Sequence, residues 1–197
     1  MSRYDQNIFR NYLADYTTID SKDWSQIIAC FHPKEVKAGT LLLEEGKICR
    51  HVYFLESGLL RYFVWKDGQD VTKFFTHPPY CFTSQRSFNT EQPARESIEA
   101  LQDSYVWEMS RADSLRLLEL KTWNNFVLKL VQEVQFFTER ILEDLQNETA
   151  EQRYRRMIAE GSPLLQKVPL KHLASYLGIA PQSLSRIRKK IYEHART

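Results

Sequence analysis

The sequence predicts an α+β chain: an amino-terminal antiparallel β-roll with flanking helices, then one long helix, then a carboxy-terminal helix-turn-helix unit. Three observations predict it. From Lys34 to about Val106, short apolar runs alternate with turn residues, as closely spaced antiparallel strands require. After Thr122, the residues Val127, Leu130, Val134, Phe137 and Ile141 recur at steps of three and four, the spacing of a helical seam. Near the end, LKHLASYLGIAPQSLSRIRKKI joins two amphipathic stretches at Gly178. With 197 residues, 43% of them hydrophobic, the chain can bury a core and divide into two units, 1–147 and 148–197.

The first thirty residues read as two short helices. One runs around Ser2 to Leu13, and the other is opened by Asp20 or Ser21, whose side chain can accept from the free amides ahead of Trp24, Ile27 and Ile28. The strand region then runs through Val36, a turn at Ala38-Gly39, Leu41 to Leu43, a turn at Glu45-Gly46, His51 to Leu55 and a turn at Ser57-Gly58. Leu59 to Trp65, the turn Lys66-Asp67-Gly68, Val71 to Phe75, a break at His77-Pro78-Pro79, and one run from Ser97 to Trp107 complete it. Ser110 is placed to cap a short helix, with Asp113 at its third position and Leu115, Leu117 and Leu118 behind it.

The long helix spans Thr122 to about Asn147. Its stripe alone predicts a helix packed on its own domain; beside a DNA-binding unit, it predicts a dimer interface formed by Val127, Leu130, Val134, Phe137 and Ile141. Thr149 and Gln152 have the spacing of a capping box, and Ala150, Tyr154, Met157 and Ile158 give the next helix an apolar face, ended at the boundary Gly161-Ser162-Pro163.

The segment 170–190 holds the chemistry. Leu170, Leu173, Ala174 and Leu177 share one face of a first helix, Gly178 suits the left-handed turn that ends it, and Ile179 plugs the corner. Pro181 fits the first turn of a second helix whose Leu184, Ile187 and Ile191 form a buried side. At 100° per residue, Gln182, Ser185, Arg186 and Lys189 fall on the opposite side. In helix-turn-helix proteins the start of this helix reaches base edges, so Gln182, Ser183, Ser185 and Arg186 are the expected base readers, with Arg188, Lys189, Lys190 and Lys171 on phosphates. The charge agrees: from residue 166 onward the chain carries net +6, against −4 before it.

Several function classes have no support. No apolar run approaches a membrane span, and the start MSRYDQNIFRNY lacks the core of a signal peptide, so a cytoplasmic location is expected. Cys30, Cys49 and Cys81 are odd in number and far apart, which fits buried reduced thiols rather than a disulfide framework or a zinc or iron-sulfur cage. The five histidines are scattered without metal-pair spacing, so no metal or cofactor is expected. No GxSxG, HExxH or Walker loop is present, and the chain does not read as an enzyme.

Across nearly its whole length the sequence resembles the Crp/Fnr family of regulators. The stretches Val36 to Thr40, Glu45-Gly46, Val52 to Gly58 and Lys66-Asp67-Gly68 look like that family's roll turns. Tyr80-Cys81-Phe82 and Ile98-Glu99-Ala100 look like the edges of its phosphate-binding cassette. The resemblance implies a cyclic-nucleotide-binding-like jelly roll, a dimerisation helix within residues 122–147, and a helix-turn-helix. It also implies a homodimer bound to palindromic duplex DNA, with RNA polymerase as a further partner. In the cassette, Phe82, Thr83, Ser84, Arg95 and Ser97 are the candidate effector residues. Relatives that bind cyclic AMP carry a glycine-glutamate pair where Thr83-Ser84 stand, and an arginine where Ala94 stands. Arg95 is displaced by one residue, beside Glu96, and on an extended segment that turns a side chain to the other face. Cyclic nucleotide is therefore disfavoured as the effector, and residues 161–170 look short for the β-hairpin wing of many relatives. The alternative is a small-molecule-sensing or protein-docking module with a degenerate DNA-binding domain.

Overall fold

The computed structural model describes residues 4–194, so Ser2 of the first expected helix and Arg196 of the basic end lie outside them. Two helices open the chain, α1 (Gln6–Ala14) and α2 (Ser21–Ile28), each begun by an aspartate: the Asp5 side chain accepts from the Asn7 amide and that of Asp20 from the Asp23 amide. Eight strands follow: β1 (His32–Val36), β2 (Leu41–Leu43), β3 (His51–Ser57), β4 (Leu60–Lys66), β5 (Gln69–Thr76), β6 (Tyr80–Phe82), β7 (Ser97–Ala100) and β8 (Ser104–Ser110). They form two antiparallel sheets of four, ordered β1-β8-β3-β6 and β2-β7-β4-β5, which is the jelly roll expected.

Leu55, Leu60, Ile98 and Val106 lie between the two sheets, and Phe54 and Met109 lie on the other face of the first sheet, under the amino-terminal helices; all six are essentially without exposed surface. Phe9 of α1 stacks on Phe54 at 4.3 Å between ring centroids and carries the amino-terminal helices into the same core. One close approach is set by glycine alone. Gly58 has φ +111°, and a Cβ there would lie 2.0 Å from Ser104 Oγ and 2.8 Å from Ser104 Cα. Gly58→Ala is expected to lower stability by roughly 3 kcal/mol or more, since strain at such a φ costs about 1–3 kcal/mol before the clash is added. A denaturant midpoint within experimental error of wild type would show that the β3–β4 turn can open without cost.

The structure departs from the sequence reading in the strand region. The single run from Ser97 to Trp107 is two strands, parted where Asp103 accepts from the Ala38 amide at 3.0 Å and pairs with Lys37 at 2.8 Å. Strand β6 and the short helix α3 (Gln85–Thr90) were not predicted, because each is too brief to show a period.

The remaining helices are α4 (Arg111–Leu117), α5 (Lys121–Asn147), α6 (Ala150–Ala159), α7 (Leu164–Lys167), α8 (Leu170–Leu177) and α9 (Pro181–His194). Ser110 caps α4 through the Asp113 amide, and Thr149 and Gln152 form the reciprocal capping box of α6. Arg156 of α6 reaches back to α5 as a two-pronged pair on Asp144, 2.7 and 2.6 Å, with Glu148 at 3.2 Å, which fixes the bend between the two helices. A second apolar cluster joins Tyr154, Leu173, Ala174, Leu177 and Leu184 to Leu59, Phe75 and Leu101 of the roll. Helix α8 thus lies against β5, the outermost strand of its sheet.

Candidate nucleic-acid interface and effector cassette

Helix α8 ends as its sequence dictates. Gly178 adopts φ +74°, and the Ile179 amide returns to the Ala174 carbonyl at 3.0 Å, closing the turn that aims α9. Arg153 of α6 donates to the Leu177 carbonyl at 2.8 Å and braces the same corner. In α9 Leu184 is fully buried against Leu173 and Ala174, and Ile187 and Ile191 are half-buried beside it. That fixes the rotation of the helix.

Gln182, Ser185, Arg186 and Lys189 are therefore exposed together on the outer face, while Ser183 and Arg188 are half-buried at its margins. Lys171 is exposed on α8. Two of the expected phosphate residues have acidic neighbours: Lys189 lies 3.8 Å from Glu193, and Lys190 lies 3.5 Å from Glu151 of α6. Both are exposed surface pairs, which contribute about 0–1 kcal/mol and exchange readily for a phosphate.

Helix α5 distributes its expected seam residues unevenly. Its first turns bury Trp123 and Phe126, and Val127 and Leu130 pack on the chain's own roll. Phe137 meets Phe74 edge-on at 6.4 Å, Val134 is half-buried, and Ile141 lines a cleft with His77, Met157 and Tyr176. The stripe read as the dimer interface is thus partly taken up within the protomer: Val127 and Leu130 are packed, while Phe137 keeps 36% of its surface exposed. Also left in solvent are Phe136 at 66% and an adjacent stripe, one residue on: Leu128 at 59% exposure, Val131 at 43%, Leu142 at 56% and Leu145 at 55%, with Gln135 and Thr138 continuing the three-four spacing between them. Periodicity finds both stripes and cannot rank them. The amino-terminal helices and the roll decide which one is covered: Tyr16 pairs with Glu133, and Lys129 donates to the Tyr16 carbonyl.

In the cassette every candidate hydroxyl is already engaged. Ser84 Oγ donates to Glu96 Oε1 at 2.6 Å, Thr83 Oγ1 donates to the His51 carbonyl at 2.9 Å, and Ser97 Oγ accepts from the Glu45 amide at 3.0 Å. Phe82 stacks on Tyr53 at 5.1 Å. Ala94 is buried and Arg95 is exposed, the opposition expected of neighbours on an extended segment. The charged group against Ser84 is therefore a carboxylate, with Lys73 at 3.7 Å on its other side. The displacement turns Arg95 outward as the sequence implies, but the sequence gives no sign that Glu96 pairs with Ser84.

Residues 33–121 match the family model of the cyclic nucleotide-binding domain. Over 117 residues the chain is 21% identical to the cAMP-dependent protein kinase regulatory subunit of Blastocladiella emersonii, covering 59% of this chain and 28% of that one, so it spans little more than a quarter of this curated relative. Among solved structures, the c-di-GMP-responsive global regulator CLP of Xanthomonas campestris superposes with a TM-score of 0.71 at 14% identity, covering 89% of this chain and 93% of the other. A protein described as a transcriptional regulator of the Crp/Fnr family, from Eubacterium rectale, gives 0.71 at 16% identity over 89% and 85%. The fold is that of the Crp/Fnr regulators. In this Crp/Fnr fold no strand follows β8 among the described residues, and the segment expected to be short for a wing holds the single turn of α7. Among the described residues no helix is long and apolar enough to cross a membrane, and no group of three or more His, Cys, Asp or Glu could hold a metal. Cys30, Cys49 and Cys81 are free and buried.

Proposed function

We propose that the protein is a sequence-specific transcription regulator that binds a palindromic operator as a homodimer and is not controlled by cyclic AMP. The observation that carries this reading is the opposition of faces on α9: Leu184 is sealed in the core while Gln182, Ser185, Arg186 and Lys189 lie in solvent. A helix held by one side with hydrogen-bonding and cationic groups on the other has the form of a major-groove reader, and the net +6 of residues 166–197 supports the phosphate contacts that accompany it. The Crp/Fnr fold supports the same assignment. The exposed stripe of α5 supports a dimer built on Leu128, Val131, Leu142 and Leu145.

The test is selection of duplexes from a random pool at physiological salt. An imperfect palindrome is expected, with half-sites about 34 Å apart, one helical turn. Recovery of sequences with no shared element would overturn the reading.

Independence from cyclic nucleotide is supported by the cassette, where the Glu96 carboxylate would repel a phosphate and Arg95 points away from it. Millimolar cyclic AMP or cyclic GMP is expected to leave the melting temperature unchanged, whereas a ligand at about 100 times its dissociation constant would add roughly 2.7 kcal/mol. A clear rise with either nucleotide would refute this part of the proposal.

A further inference from the structure

Resting on the DNA-binding reading above, we infer that Arg61 is a positioning residue that fastens the DNA-reading unit to the β-roll and holds α9 in the orientation that engages an operator. Arg61 stands within β4 and is only 3% exposed. Its Nε donates to Glu99 Oε2 at 2.8 Å and its Nη2 to Asp70 Oδ2 at 2.6 Å, and its guanidinium lies 4.3 Å from the ring centroid of Phe63. Nη1 serves Thr72 Oγ1 at 3.3 Å and, at 2.6 Å, Nδ1 of His172 on α8. A guanidinium buried this deeply is tolerated only when its donors are met. The roll meets most of them, and the helix-turn-helix supplies the shortest contact of Nη1.

One turn along α8, Ser175 completes the attachment. Its Oγ accepts from the Thr72 amide at 2.9 Å and donates to the Asp70 carbonyl at 3.2 Å, so the helix is tied to main chain as well as to side chains. Tyr176 packs on Phe75 at 5.4 Å. Throughout, Gln182, Ser185 and Arg186 stay exposed. The attachment therefore orients the reading face without covering it, and a head fixed before binding avoids the cost of ordering it on DNA.

The chemistry of the contact makes it pH-sensitive. Arginine has no acceptor, so Nδ1 of His172 must be unprotonated to receive its hydrogen bond. The charged groups facing this ring are Arg61 from β4, Asp70 from β5, Glu99 from β7 and Lys171 from α8 itself. Burial first, and then the charges of Arg61 and Lys171, hold His172 below the ordinary histidine value of 6.5, with the two acids opposing. A depressed histidine favours the attached state fully above the ordinary value and less as pH falls from 6.5 toward the lowered one.

The experiment uses the full chain and two readouts: hydrogen exchange of the Thr72 amide without DNA, and affinity for the selected palindrome. Ser175→Trp blocks α8 from β5 while leaving the roll untouched, and it is expected to expose the Thr72 amide, keep the dimer and lower operator affinity at least about tenfold. Arg61→Gln should act in the same direction. His172→Asn keeps an acceptor oxygen near the place of Nδ1, and it should preserve affinity at about pH 7.5 while abolishing the acid weakening that wild type shows below about pH 6.5. If Ser175→Trp exposes Thr72 yet binds the operator as well as or better than wild type, Arg61 positions nothing needed for reading, and a wild-type Thr72 amide without protection removes the attachment itself. A wild type without operator preference overturns the DNA-binding reading and the positioning role together, and the exchange data still report whether the units are joined.

Discussion

Leu142→Glu is expected to turn a dimer into a monomer at micromolar concentration and to cost operator affinity about a hundredfold or more. Leu142 is 56% exposed on α5, on the same stripe as Leu128, Val131 and Leu145. In a two-helix seam it faces its own copy, so the substitution buries two unpaired carboxylates, and one uncompensated buried charge already costs about 3–5 kcal/mol. Without the dimer the two half-sites are bound separately, and the roughly 10²–10⁴-fold gain from linking them is lost. Phe137→Glu is the informative contrast. Phe137 meets Phe74 of its own chain, so its loss should lower the melting temperature more than it shifts the monomer–dimer balance. Sedimentation velocity decides between them: a Leu142→Glu dimer as tight as wild type would mean that this stripe is not the seam.

Arg186→Ala is expected to erase the preference for one base pair in each half-site while leaving binding to random duplex nearly intact. Arg186 lies on the exposed face of α9, and a guanidinium can pair in two-pronged fashion with a guanine, contributing roughly 1–3 kcal/mol of discrimination per contact. With two half-sites per dimer, the ratio of operator to random affinity should fall by about thirtyfold to roughly twenty-thousandfold. Lys189→Ala should weaken every sequence alike and flatten the dependence on salt, because a phosphate contact carries no sequence information. A competition series over increasing salt separates the two behaviours, and an Arg186→Ala variant with wild-type preference would remove Arg186 from the base readers.

The helix-turn-helix was legible because each local rule agrees with the next: Gly178 permits the turn, Ile179 plugs it, and Leu184 fixes the rotation that puts Gln182 and Arg186 outside. The roll was legible through its turns. On α5 legibility ended, since Val127 and Leu128 both start apolar stripes and only the tertiary surroundings cover the first turns of one of them. Arg61 gave no signal at all. A lone arginine within the run Leu59 to Trp65 reads as a solvent-facing alternation, and its partners Asp70, Glu99 and His172 lie 9, 38 and 111 residues away. Long-range polar satisfaction of this kind has no period and no composition.

The docking of α8 has a further consequence, in solubility rather than in recognition. Strand β5 ends its sheet, and a terminal strand offers unpaired main-chain groups to any other extended chain. Here the Asp70 carbonyl and the Thr72 amide are taken by Ser175, so the carboxy-terminal helical unit, the head, shields an adhesive edge. A fragment ending at residue 147 would leave that edge bare beside Phe74 and Phe75. Severed from its head, the roll should self-associate strand to strand, and the head thereby acts as a guard against aggregation of the domain that carries it.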